Sequence, residues 1–543
     1  MALKSSQRIA IGFSTWAGAG DWRLFFLHRD RIEQVSLDDV RRVAIHYLKQ
    51  SNRTSGLFRP TNAPDRTEVP ETPNVLALVK RYKGREALSE GEAFEATPDN
   101  IESRVKRTTL SNGLKLALLS KETRGDSVRA VLTLHFGTEE AIQGRIDALD
   151  LIPAMLMRGT KKRTYEELRD ELDRLKATVS FGGGGFFGRN YGSVSANIVT
   201  DRPHLAAVIR LVAEMLTEPS FPEKEFEIVK KERLTSMEEQ LSNPQTRAVV
   251  SLLRRLNPWP SDNVRYVPTV LEGIERLKAV TLEQVRNCHR GFYGANNAEM
   301  TVVGDFDEQE ITKVIEETLG KWNATKPFTR IATQYRSDIP GSEEVIHTPD
   351  KKMAMIGSAI NMELRDDDPD YPAMHLANYV FGASAKSRLL NRLRQKEGIS
   401  YGAGSVFRAD SQDHNALFLA YGICAPQNAD QAAMSTLDEF NLLVREGIPE
   451  VELTAAKDSY AKKSKNQLTN DRFVASFLNR SLHLGRTMEY RKWLASEVES
   501  LTPQKVQSVI KKHLNLDRLI RVKAGDLEPE SDKQEAGETT GVD

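Results

Sequence analysis

Apolar and polar positions alternate along parts of this chain and recur with helical spacing along others. "TTLSNGLKLALL" (108–119) reads as strand entered through an Asn112-Gly113 turn, and "SVRAVLTLHFG" (127–137) as the next strand. A helix is expected over 148–157. Another is expected from Thr164, where Thr164 and Glu167 make a capping box and Leu168, Leu172 and Leu175 share one face. "VSFGGGGFFGRNYGSVSANIV" predicts strand, glycine tract and strand. The tract Gly182–Gly185 lacks the Lys-Ser/Thr ending and following helix of a phosphate loop, so it reads as a turn or bulge. Further on, the same order returns: strand over 343–360, helices over 371–382 and 387–395, strand over 401–408. The pattern predicts an α+β fold of duplicated domains, each a mainly antiparallel sheet with helices packed on one face.

Three segments repeat. They begin at Ser36 ("SLDDVRRVAIHYLKQSNRTSGLF"), Thr281 ("TLEQVRNCHRGFYGANNAEMTVV") and Thr502 ("TPQKVQSVIKKHLNLDRLIRVKAG"). Each opens on a hydroxyl cap, runs as a one-sided helix, and passes through a polar turn into a short apolar strand. Ser36 and Thr281 have Asp39 and Gln284 three residues on, whereas Thr502 is followed by Pro503 at the first helical position. The repeating unit is thus a domain of roughly 220 to 240 residues. The expected organisation is a 1–60 remnant of a preceding domain whose beginning is missing, a 61–103 extended linker containing the short apolar helix "NVLALVKRY", and two complete domains, 104–325 and 326–525. An acidic 526–543 tail follows, nearly free of large apolar side chains and expected to be disordered.

Composition narrows the function. The 543 residues carry 76 Lys+Arg and 76 Asp+Glu, a balance that argues against a nucleic-acid surface. No apolar run approaches the roughly 18 residues of a membrane span, and the chain opens without a signal-peptide pattern. Two cysteines, Cys288 and Cys424, cannot build a four-Cys zinc site or a dense disulfide framework and read as buried or partly buried free thiols. None of the ten histidines forms an i, i+4 pair.

The duplicated α+β domains, with "MLMRGT" after the first helix and "NNAEMTVVGDFD" closing a unit, resemble the pitrilysin/insulinase family of zinc metallopeptidases, whose fold the mitochondrial processing peptidases share. The resemblance covers nearly the whole chain to about residue 525. It implies two halves closing around a peptide. The active half carries H-x-x-E-H shortly before M-x-x-x-G-T: two His bind zinc, the Glu activates water, and a downstream Glu is the third ligand. Aligned through "MLMRGT", this chain places Asp150 and Ala154 at the two His positions and Pro153 at the catalytic Glu. The downstream Glu pair is present as Glu225 and Glu232. Asp150 and Glu232 without an imidazole would hold zinc poorly, and Pro153 cannot accept a proton. By themselves, Asp150 reads as a helix-start carboxylate favoured by the dipole and Glu232 as a solvated helix carboxylate.

The resemblance therefore points to the zinc-less half, with no metal or cofactor bound by this chain and zinc held in a partner half. In the family the last domain of that half lends an Arg and a Tyr at R-x6-Y spacing to the substrate near the zinc. "SRLLNRLRQKEGISYG" supplies Arg394 and Tyr401, with Gly398 turning helix into strand. Both can donate to a scissile carbonyl or its oxyanion. Without the resemblance they read as a surface Arg and a core Tyr. His375 and His414 read as packing or surface histidines. The expected function is a substrate-binding, non-catalytic half of a peptide-cleaving zinc metallopeptidase, inactive alone and completed by an H-x-x-E-H-bearing half. The alternatives are a non-proteolytic scaffold of the same fold, like the core proteins of respiratory complexes, or an inactive gene fragment. The compartment stays open: longer bacterial relatives are often periplasmic, but the peptide substrate and location are not written in these residues.

Overall fold

The computed structural model describes residues 6–54, 75–80, 90–182 and 192–527. The chain divides into two units, residues 1–91 with 123–125, and residues 92–122 with 126–543. No helix among the described residues is long and apolar enough to cross a membrane.

The smaller unit is helical, with helices Ser6–Gly18, Leu24–Ile32, Leu37–Tyr47 and Val75–Val79. Phe13 gathers Trp22, Phe25 and Phe26 around it at ring distances of 5.3, 5.6 and 5.4 Å. Ser36 caps the third helix through the expected box with Asp39. The strand expected after this helix falls at residues outside those described. Neither Leu24–Ile32 nor Leu37–Tyr47 buries a single residue, and Leu37, Ile45 and Leu48 are 90%, 64% and 84% exposed. Few buried apolar contacts mean low local stability. Limited proteolysis should therefore cut within residues 19–54 before it cuts within 106–525, mapped by mass spectrometry. Equal protection of both regions would contradict this.

The larger unit contains two mixed sheets. The strands of the first are β1 (Lys106–Thr109), β2 (Lys115–Ser120), β3 (Ser127–His135), β4 (Thr178–Gly182), β5 (Ser193–Asp201) and β6 (Ala298–Gly304), in spatial order β1-β2-β6-β3-β5-β4. Those of the second are β7 (Ser342–His347), β8 (Ala354–Met362), β9 (Ser400–Ala409), β10 (Ala416–Cys424) and β11 (Ile520–Gly525), in order β7-β11-β8-β10-β9. Apart from β1 the two orders are the same. In each, the strand after the repeated capped helix inserts beside the sheet's first long strand, β6 parallel to β2 and β11 parallel to β7. All other pairs are antiparallel. The repeated helices are Leu282–Phe292, capped by Thr281 with Gln284, and Pro503–His513, capped by Thr502.

Two local expectations change. The strand expected over 343–360 is two strands, because Pro349 cannot donate to a ladder and Asp350 adopts φ +60° in the turn between them. These strands are not neighbours, since β11 lies between them. The helix expected over 148–157 is two single turns, Ile146–Leu149 and Ile152–Met155. Pro153 lacks the N–H that would bond to Leu149, and its ring crowds that carbonyl, so the helix breaks before it. The expected linker also differs at its end. Residues 98–104 form a capped helix that buries Ile101 within the larger unit.

β6 and β8 are buried at every position. A strand buried on both faces needs cover on both. One face of each sheet packs against helices of its own repeat. The other receives a single helix from the other repeat. Helix Asp471–Leu484 sets Val474, Ala475, Leu478 and Leu482 on Ala117, Leu119, Val131 and Val303 of the first sheet. Helix Pro244–Leu256 sets Ala248, Leu252 and Leu256 on Met355, Ala359, Leu419 and Val522 of the second. Gly357 permits this approach: a Cβ there would stand 2.6 Å from Leu252 Cδ1.

Candidate functional site

At the position of the interrupted helix, Asp150 and Ala154 are exposed and Pro153 is half-buried. Asp150 ends the first turn, its N–H donating to Ile146 O at 2.9 Å. The downstream carboxylates lie on helix Glu223–Gln240, seven residues apart and so on one face. They do not face an open ligand position. Arg158, from the "MLMRGT" segment, donates to Glu225 Oε2 at 3.2 Å and to Glu232 Oε2 at 2.9 Å, with its guanidinium 5.0 Å from the Tyr165 ring. A fixed cation thus holds the carboxylate that a metal would use. Among the described residues, no histidine joins these carboxylates in a group able to hold a metal ion. These residues do not fit zinc, and the asparagine and glutamine variants Asp150→Asn and Glu232→Gln together should leave the zinc content of the purified chain unchanged by elemental analysis. A loss of bound zinc in that double variant would contradict this.

Arg394 and Tyr401 lie on either side of a helix-to-strand turn. Arg394 is in the π-helical turn Asn391–Lys396, which continues Arg388–Leu390. Such i→i+5 turns are uncommon and concentrate at functional sites. Gly398, at φ +67°, reverses the chain into β9. In β9, Gly402 pairs with Ile423 and Ser400 with Cys424, so Tyr401 is the extra residue of a β-bulge. A bulge turns a side chain away from the regular alternation. Tyr401 is 63% exposed, not a core residue, and Arg394 is exposed as well. Neither makes a side-chain hydrogen bond or ion pair among the described residues. By contrast, neighbouring Arg392 is tied to Glu397, Asp438 and Glu439, and Arg388 to Glu452. β9 is an edge of its sheet.

His414 is exposed. His375 packs between the rings of Tyr371 and Tyr460 at 5.6 and 5.4 Å, and burial pushes it down to about 4, so it is neutral at pH 7. Both cysteines are buried free thiols, and burial raises them, Cys424 to about 11, which leaves them unreactive.

Sequence patterns missed another constellation. His135 ends β3, Glu299 is the second residue of β6, and His483 lies near the end of helix Asp471–Leu484. His135 Nε2 is 2.7 Å from Glu299 Oε2, and His483 Nδ1 is 3.2 Å from Glu299 Oε1. The imidazoles stack at 4.0 Å. Burial pushes the Glu299 carboxyl up, but the hydrogen bonds and charges of the two imidazoles together outweigh it and hold the group down to about 2. No fixed spacing could reveal this trio, whose members are brought together by strand pairing and by the exchanged helix.

Residues 279–460 match the family described as Peptidase M16 inactive domain. Similar proteins include an uncharacterized zinc protease of Streptomyces coelicolor, 23% identical over 75% of this chain and 86% of the relative. A probable inactive metalloprotease of Bacillus subtilis is 24% identical over 56% of this chain and 73% of the relative. Among solved structures, the peptidase M16 inactive domain from Pseudomonas fluorescens superposes with a TM-score of 0.68 at 20% identity, covering 78% of this chain and 97% of that one.

Proposed function

We propose a substrate-gripping role for this chain, a non-catalytic member of the pitrilysin/insulinase (M16) peptidase family: it holds an extended peptide for an H-x-x-E-H-bearing, zinc-holding half that cleaves it. The observation that carries the reading is the unpartnered, solvent-facing pair Arg394 and Tyr401, one on a π-helical turn and one on a bulge of the edge strand β9. Long polar side chains kept free beside a sheet edge are suited to a peptide backbone. An edge strand offers N–H and C=O groups to an added strand, which yields affinity with modest sequence preference. Arg394 and Tyr401 would then donate to the carbonyl being attacked, where charge develops. At the zinc position Asp150, Pro153 and Ala154 stand in place of two imidazoles and a base, so the chemistry falls to the partner half.

The test is reconstitution. The full chain is mixed with an H-x-x-E-H half of the same family, and hydrolysis of a mixed library of extended peptides is followed. Complex formation with a gain in hydrolysis over the H-x-x-E-H half alone supports the reading. Complex formation with no gain would favour the scaffold alternative.

A further inference from the structure

The trio of His135, Glu299 and His483 has a composition that simple ion pairing does not require. β3 and β6 pair antiparallel with Thr133 opposite Glu299, so Thr133, Glu299 and, two residues on, His135 share one face. Helix Asp471–Leu484 lies on that face. Asn479 and His483, one turn apart on it, reach the same strands: Asn479 Nδ2 donates to Glu299 O at 2.9 Å and to Val131 O at 3.1 Å, and Thr133 Oγ1 donates to Asn479 Oδ1 at 2.7 Å. The helix and both strands are thereby held in register around the Glu299 carboxylate, whose side chain is only 4% exposed.

We propose that His135, Glu299 and His483 form a binding site for one divalent transition-metal ion of the zinc class, joining the second repeat's helix to the first repeat's sheet. The two imidazole nitrogens and a carboxylate oxygen all lie within 4.8 Å of one another. Donors at 2.0–2.2 Å around a tetrahedral ion stand about 3.4 Å apart, so the 2.7 and 3.2 Å contacts lengthen and the two stacked imidazoles turn to converge on one ion. Two imidazoles with one carboxylate suit zinc, nickel or copper, not magnesium or calcium, which take oxygen ligands.

Charge supports the same assignment. A buried carboxylate needs compensation. Lys115 Nζ is 4.0 Å from Glu299 Oε1, but its side chain is 44% exposed and also reaches Leu482 O at 3.4 Å, so it can turn to solvent. A divalent ion held by the trio compensates the buried Glu299 carboxylate directly. His483, with its side chain 24% exposed, connects the trio to solvent. This site shares no residue with the interrupted helix. The expectation of a metal-free chain rests on the family's zinc position and on the lack of an i, i+4 His pair, and neither bears on residues this far apart in sequence.

Equilibrium dialysis of the full chain against zinc chloride, read by elemental analysis, should give one zinc per chain. His483→Ala should weaken binding by more than about a hundredfold, beyond the loss of a supporting hydrogen bond, while Asp150→Asn with Glu232→Gln should not. Zinc should raise the thermal midpoint of the wild type and leave that of His483→Ala unmoved. If the variant does not fold, diethyl pyrocarbonate labelling of the wild type replaces it, with zinc expected to shield His483. No stoichiometric zinc, undiminished binding in His483→Ala, or unshielded His483 would each overturn the proposal.

Discussion

Replacing Tyr401 by Phe is expected to slow peptide hydrolysis by the reconstituted pair about a hundredfold to a thousandfold. The ring stays and one hydrogen-bond donor goes. Losing a donor aimed at a developing oxyanion typically costs about 2.7–4 kcal/mol. Because Tyr401 is exposed on a bulge and bonded to nothing among the described residues, the change leaves no buried group unpaired, so fold stability should move by less than about 0.5 kcal/mol. Arg394→Ala should cost at least as much turnover and also weaken peptide binding. If both donors hold one carbonyl, the double variant should lose much less than the sum of the two. The measurement is kcat and KM for wild type, each single variant and the pair. Unchanged turnover in both single variants would leave the scaffold alternative ahead.

The second large effect concerns the exchanged helix. Asn479 is buried at 6% exposure and ties that helix to both β3 and β6. Asn479→Ala removes three hydrogen bonds, leaves the Thr133 hydroxyl without its Asn479 acceptor and opens a small void. Each buried hydrogen bond lost costs about 1 kcal/mol, more where a group is left unsatisfied, so a loss of about 2–4 kcal/mol is expected. Thr133→Ala should cost less: it removes the contacts to Asn479 Oδ1 and, at 2.9 Å, Ser195 Oγ, but leaves both bonds from Asn479 to the strand carbonyls. The check is the urea midpoint of the full chain at constant slope. A shift below that of an exposed control such as Ser508→Ala would mean the exchanged helix is held by apolar packing alone.

Local features were legible because short-range physics governs them. The capping residues Ser36, Thr164, Thr281 and Thr502 each cap the helix that their spacing predicts. The Asn112-Gly113 turn joins β1 to β2. The three similar helix segments foretold duplicated units, and the two sheets have matching strand orders. Apolar spacing predicts one helix over 148–157 where the fold has two single turns, although Pro153 carries the signal against it. The same holds for Pro349 between β7 and β8.

What tertiary structure alone decided is which distant segment covers which surface. Apolar runs in β6 and β8 say that both faces are buried, but hydrophobic burial has no direction and names no partner. Only the fold shows that each repeat lends its third helix after the hairpin to the other's sheet. It also shows Arg158 clamping Glu225 and Glu232, where sequence spacing allowed a solvated carboxylate. The convergence of His135, Glu299 and His483 has the same origin. Strand register sets the first two on one face, the exchanged helix brings the third, and no interval along the chain encodes a meeting made by packing.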